Sequence, residues 1–197
     1  MNECIPRKFA DPTSRSNTDN QILLEAVCFA AERHRHQRRK DAGATPYVNH
    51  PLEVARILTQ AGVVDLDVLL AALLHDTIED TDTTVDEITQ RFGERVSGFV
   101  LEVTDDKRLP KAERKRRQVE SATGKSDGAK MIKLADKIAN LRDLSQSPPR
   151  WTSDRMCAYR IWAHEVVSGC CGVNRQLDEW AAELCGPDVT SLTQGGA

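Results

Sequence analysis

Apolar residues along this chain return every three or four positions, and polar or glycine-rich breaks divide the pattern into segments. Ile22, Leu23, Ala26, Val27, Ala30 and Ala31 lie on one face of a helix that Thr18 or Asp19 caps and that runs to about Arg39. After the loop "DAGATPY", Pro51 suits the first turn of a second helix. Its buried side is Leu52, Val54, Ala55, Ile57 and Leu58, and Gly62 ends it. A third helix spans Leu66 to Thr77. "TVDEITQRFG" has an acidic first turn after Thr83 or Thr84 and closes on Gly93, the signature of a capped helix. Val96 to Val103 follows, then a basic helix from Leu109 to about Ala122, the loop "TGKSDG", a helix from Ala129 to Leu144, and the break "SQSPPR". Trp151 to Val167 and Asn174 to Leu184 complete the set. Nothing alternates with a period of two, so the pattern predicts an all-α domain. Residues 1–18 mix Pro, Asn, Ser, Asp and Arg without period and read as a mobile leader; 19–185 read as the domain and 186–197 as a flexible tail.

Composition narrows this picture. The 197 residues suffice for one core. They are 40% hydrophobic but only 5% aromatic, so that core must be aliphatic. A net charge of −3 argues against a general nucleic-acid binder. The longest apolar run, Val68 to Leu74, is far short of the roughly 20 residues of a membrane span. Six cysteines are present, but Cys170 and Cys171 are adjacent, no C-x-x-C pair occurs and no secretory leader pattern opens the chain. Reduced thiols and a cytoplasmic setting are the expectation.

Chemistry enters with "AALLHDTIEDTDTT", residues 71–84, where an apolar run meets His75, Asp76, Glu79 and Asp80 at once. If the helix continues, the i, i+4 pairs His75–Glu79 and Asp76–Asp80 crowd acceptors together, and such a cluster repels itself unless a cation sits in it. A His-Asp dipeptide alone occurs by chance. Here His50 stands just before the second helix, and Asp136 of "KLADKIANL" lies on an otherwise apolar face, where a lone carboxylate is costly. His50, His75, Asp76 and Asp136 form a candidate four-ligand set for a divalent ion such as Mn²⁺, Zn²⁺ or Fe²⁺. Glu79 and Asp80 follow by one turn, where either could accept a proton from water. Arg39 and Lys40 precede the His50 loop and suit phosphate. Lys111 and Arg114 could form an electropositive rim for a 5′-diphosphate. Arg155 and Tyr159 share a face at i, i+4 and could touch a nucleotide. Arg33, Arg35 and Arg38 read as solvated surface, and His34, His36, His164 and the three tryptophans as structural.

"HRHQRRKDAGATPYVNHPLEVARIL", "AALLHDTIEDTDTT", "EVTDDKRLPKAERKRRQVE" and "AKMIKLADKIANLRDL" together resemble the HD-domain phosphohydrolases. More narrowly, they resemble the hydrolase domain of the RelA/SpoT alarmone enzymes and the small single-domain animal SpoT homologues. The resemblance covers roughly residues 20–185. It implies an all-α HD-domain bundle of about ten helices. It implies Mn²⁺ on His50, His75, Asp76 and Asp136, water handling by Glu79 and Asp80, phosphate contacts from Arg39 and Lys40, and nucleotide contacts from Asn140, Arg155 and Tyr159. The chain has no room for the synthetase domain of the bifunctional relatives. The implied reaction is hydrolysis of the 3′-pyrophosphate of guanosine tetra- or pentaphosphate to GDP or GTP and pyrophosphate. NADPH, with a 2′-phosphate on its adenosine ribose, has a comparable layout and is a second candidate substrate. The rivals are another HD nucleotide phosphohydrolase and a non-catalytic nucleotide sensor; "RRKD" and "TDDK" argue against the first, the full ligand set with Glu79–Asp80 against the second. The expected partner is a small-molecule nucleotide, with no nucleic acid, membrane or obligatory protein partner.

Overall fold

A computed structural model describes residues 12–186 of the chain. Within them lie ten α-helical segments and no strand: α1 Pro12–Arg33, α2 Asn49–Gln60, α3 Leu66–Leu74, the single turn α4 Thr77–Asp80, α5 Val85–Phe92, α6 Glu94–Val103, α7 Lys111–Ser121, α8 Asp127–Gln146, α9 Ser153–Cys170 and α10 Arg175–Cys185. A short 3₁₀ turn, Ala122–Gly124, joins α7 towards α8. The expected leader and tail fall largely outside the described residues; within them, α1 already begins at Pro12, ahead of the Thr18 or Asp19 cap.

Helix α8 is the centre of the bundle. Ile132, Leu134, Ala135, Ile138, Ala139 and Leu141 are all buried, so apolar residues surround it on every side. It packs against α2, α3, α6, α9 and α10, while α1 covers α3 and α5 pairs with α6. In α3, Leu70, Leu73 and Leu74 are at most 2% exposed. Each fully buried leucine contributes about 1.5–3 kcal/mol of transfer free energy, which anchors the end of this helix. α7 buries no residue, which matches its basic composition. Close packing at the start of α8 depends on Gly128, because a Cβ there would lie 2.6 Å from the Phe99 ring of α6.

The helix starts follow local chemistry. Asp65, Thr84, Ser126, Thr152 and Asn174 each accept a backbone N–H in the first turn of the helix that they precede. Of the two threonines considered for α5, Thr84 is the cap. Gly93, at φ +98°, both ends α5 and precedes α6.

Two of the boundaries that differ from the hydrophobic pattern lie at the site. α1 ends at Arg33, not Arg39. Beyond it the chain turns back: Arg39 N–H donates to Thr45 O, Tyr47 N–H to Gln37 O, and Arg38 bridges Pro46. The Asp41 carboxylate holds this turn by accepting from the Gly43 and Thr45 amides and the Thr45 hydroxyl. The third helix also stops early, at Leu74 rather than Thr77. Asp76 sits at φ −98°, ψ −3°, in the sparsely populated bridge region, and the Thr77 hydroxyl takes the Leu74 carbonyl that the break releases.

A candidate metal centre with an acidic flank

Four elements meet where α3 stops. His50 comes from the first turn of α2, His75 and Asp76 from the break between α3 and α4, and Asp136 from the middle of α8. One ligand atom each from His50, His75 and Asp76 fall within 4.8 Å of one another. His50 Nε2 lies 3.2 Å from Asp136 Oδ1 and 3.8 Å from Asp76 Oδ2, and His75 Nε2 lies 3.1 Å from Asp76 Oδ2. The structure thus brings together all four residues of the expected set.

The donor set fits a divalent cation. His75 Nδ1 is 2.8 Å from the Ala72 carbonyl, so its proton is held there and Nε2 keeps its lone pair. That Nε2 is buried and makes no hydrogen bond. Two imidazoles and two carboxylates suit a borderline-to-hard divalent ion. The electrostatics point the same way. Burial resists protonation of His75, yet the Asp76 and Asp136 carboxylates prevail and push its pKa up to about 9. For His50 burial prevails, and its pKa falls. Asp76 and Asp136 are themselves held below the usual carboxylate range: against the cost of burial, His75 lowers the first and Lys137 the second. The cluster therefore demands positive charge, and a dication satisfies that demand with both imidazoles neutral.

Several residues that the sequence pattern did not single out support this cluster. The Tyr47 hydroxyl donates to Asp76 Oδ2 at 2.6 Å. The Lys137 ammonium, 4% exposed, donates to Asp136 Oδ2 at 2.9 Å. An unpaired buried carboxylate costs several kcal/mol, so this pairing is what permits Asp136 inside the bundle. Lys137 follows Asp136 directly on an apolar face, a signal that was present in "LADK". Asn140 Nδ2 donates to Asp136 Oδ1 at 2.6 Å while its Oδ1 accepts from Arg39 at 2.8 Å. Arg39 also pairs with Asp143 at 2.7 Å. Two of the expected substrate contacts, Arg39 and Asn140, are thus joined to a ligand carboxylate and to each other.

The acidic flank is not a continuous helix face. α4 is offset by the break, and Glu79 and Asp80 take different partners. Glu79 Oε2 accepts the Asp105 N–H at 3.0 Å, and Arg114 stands 3.5 Å from its other oxygen. Burial, with the nearby charges of Asp105, Asp76 and Asp80, raises the Glu79 pKa. Asp80 pairs with Lys107, and its carbonyl accepts from Gln37 at 2.6 Å. Asp105 and Lys107 come from "TDDK" after α6, a loop whose arrival here no local pattern announces.

The remaining expected contacts form a cationic rim. Lys40, Lys111 and Arg155 are exposed and make no ion pair among the described residues. Burial first, then the charges of Arg155, Lys40 and Arg114, lower the Lys111 pKa, which places these cations within reach of one another. The Arg155 guanidinium lies 4.2 Å over the Trp151 ring, and Trp151 and Tyr159 sit 5.8 Å apart. Tyr159, pushed up to about 12 by burial, remains a neutral hydroxyl. Trp162 packs as expected, donating to Lys115 O and taking the Lys115 and Lys137 ammoniums on its ring. His34 is 1% exposed, with Nδ1 2.7 Å from Gln37 Oε1 and a buried Nε2 that has no hydrogen-bond partner among the described residues.

Comparison with known proteins agrees with this geometry. Residues 26–164 match the HD domain family model. The chain is 60% identical over 159 residues to the guanosine-3′,5′-bis(diphosphate) 3′-pyrophosphohydrolase MESH1 of Homo sapiens, covering 80% of this chain and 89% of that one. It is 58% identical over 164 residues to MESH1 of Mus musculus, covering 82% and 92%. Among solved structures, a metazoan SpoT orthologue described as hydrolysing ppGpp superposes with a TM-score of 0.81 at 44% identity, covering 90% of this chain and 96% of that one.

Proposed function

From the premise that the chain belongs to the HD-domain family and stands with its MESH1 members, we propose that it is a metal-dependent guanosine-3′,5′-bis(diphosphate) 3′-pyrophosphohydrolase. Water replaces the 3′-pyrophosphate of guanosine tetra- or pentaphosphate, leaving GDP or GTP and free pyrophosphate. The observation that carries this reading is the convergence of His50, His75, Asp76 and Asp136 beside a half-buried Glu79 whose pKa is raised.

These four residues would hold the ion, and Mn²⁺ is the ion we assign. A divalent ion there acidifies water and polarises phosphoryl oxygens. Tyr47 and Lys137 keep Asp76 and Asp136 oriented, and the Ala72 carbonyl keeps the His75 lone pair turned inward. Glu79 is the better general base of the two flank acids. Its raised pKa brings it nearer to neutrality, whereas Asp80 is occupied by Lys107 and positions water from one side. Lys40, Lys111 and Arg155 carry uncompensated charge suited to the 5′-diphosphate, and Tyr159 to the ribose or its phosphate. Arg39 and Asn140 link bound phosphate to Asp136.

The test is kcat/KM for guanosine tetraphosphate and for NADPH, measured side by side on protein loaded with Mn²⁺ and on protein stripped of metal. Mn²⁺-dependent release of pyrophosphate from guanosine tetraphosphate is the expected result. Full turnover after exhaustive metal removal would overturn the metal mechanism, and a preference for NADPH would overturn the substrate assignment.

A further inference from the structure

A second pocket lies behind the catalytic flank. It is a cavity of about 440 Å³ between the end of α6, the loop after it, α7 and the first turns of α8. Its wall and the candidate active site share two residues, Asp105 and Arg114, which touch Glu79 from the far side. Deep in it stands Lys133, 6% exposed, with no hydrogen bond or ion pair among the described residues. No carboxylate bonds this ammonium, and none of the proposed catalytic steps uses it.

The charges of the wall explain what is missing. Each of its four carboxylates already has a partner: Glu102 accepts from the Ser126 amide and hydroxyl, Asp106 grips Arg108, Asp105 takes the Gln118 amide, and Glu120 pairs with Arg116. Its cations are not. Lys125 donates only to a main-chain carbonyl, that of Glu102. Arg117 commits only its Nε, to Glu113, and leaves both terminal nitrogens free of hydrogen bonds. Unused N–H donors of Lys133 and Arg117 thus line a space large enough for a small ligand.

We propose that this cavity is a second oxyanion site, separate from the catalytic basin, which takes a small phosphate- or sulfate-like group on Lys133 with Lys125 and Arg117 at its mouth. Its occupant acts on the reaction along one short path, through Arg114 and Asp105 to Glu79. The site therefore tunes turnover rather than competing for substrate. The inference goes beyond the proposed activity, and its binding arm holds whatever the substrate.

Calorimetric titration of the metal-loaded protein with sodium sulfate, at ionic strength fixed with chloride, reads the site directly. Two saturable components are expected. Lys133→Met, which keeps length and removes charge, abolishes one of them and leaves the other. Arg117→Ala, at an exposed rim position that does not endanger folding, weakens the same component several-fold. In kinetics, sulfate shifts kcat of the wild type at saturating substrate, while in Lys133→Met only an effect on KM remains. A single sulfate component unchanged by both variants overturns the proposal. Inhibition that is purely competitive in the wild type overturns the coupling to Glu79. If the protein lacks pyrophosphohydrolase activity, the titration still decides the site.

Discussion

The ligand cluster and the cationic rim serve the same reaction but are built in opposite ways. In the cluster, the side chains of His50, His75, Asp76 and Asp136 are largely or wholly buried, and Tyr47, Lys137, Asn140 and a main-chain carbonyl fix their orientation. At the rim, Lys40, Lys111 and Arg155 are exposed and without counter-ions among the described residues. The cluster is costly to assemble, so it must be held rigidly by the fold. The rim is inexpensive, because its charge is solvated until an anion arrives. In the proposed reaction, the buried pole would govern whether chemistry occurs, and the open one how tightly a polyphosphate is gripped.

The sharpest way to break this contrast is to remove a ligand. Asp136→Ala should lower both bound Mn²⁺, read by elemental analysis, and turnover, by about 10³-fold or more, the scale expected when electrostatic stabilisation of the reacting group is lost. It also strands the Lys137 ammonium, so the melting temperature should fall by an amount corresponding to about 3–5 kcal/mol. Retained metal with lost activity would move Asp136 out of the ligand shell.

Glu79→Gln should come next, lowering kcat about 10²–10⁴-fold while leaving metal content intact. The wild-type rate carries a pH signature of the same residue. Burial raises the Glu79 pKa, so the basic form is lost as pH falls through a value above the ordinary glutamate range. At saturating metal, kcat should thus decline on the acid side and level off above it, and Glu79→Gln should lack that limb. An unchanged acid limb would transfer the role of base to Asp80.

Tyr47→Phe removes one hydroxyl from Asp76. Support of this kind is worth about 10–100-fold in metal affinity, measurable by competition with a chelator, with little change in kcat at saturating metal. The rim should show the smallest effects. Lys111→Ala should raise KM about tenfold with kcat nearly unchanged, as loss of one charge-assisted phosphate contact implies, and the difference should shrink as salt screens the rim. A kcat effect at Lys111 as large as that at Glu79 would erase the distinction between the two regions.

Much of this was legible in the chain. The helical periodicity named nine of the ten helices and narrowed the cap of α5 to Thr83 or Thr84, of which Thr84 makes the bond to its own first turn. The ligands His50, His75, Asp76 and Asp136 stood out because a polar group beside an apolar run is costly to bury unless something binds it. The same local reading extended α1 to Arg39 and α3 to Thr77, and in both cases the periodicity was right but incomplete. At α1, the Asp41 turn and the Arg38–Pro46 bridge compete with the helix and win. At α3, the Leu74 carbonyl finds the Thr77 hydroxyl, and the break swings Glu79 away from His75.

The sequence by itself determined the all-helical bundle and marked His50, His75, Asp76 and Asp136 as polar groups beside apolar runs, since each depends on residues a few positions apart. Only the tertiary structure distinguishes the two flank acids, because Glu79 acquires its Asp105 contact from a loop 26 residues on, and burial raises its pKa. It also decided that Lys137 neutralises Asp136, and that Lys133 lines a cavity without an ion-pair partner among the described residues. Those outcomes depend on how far a charge lies from water and from other charges, and such distances exist only once the helices have packed.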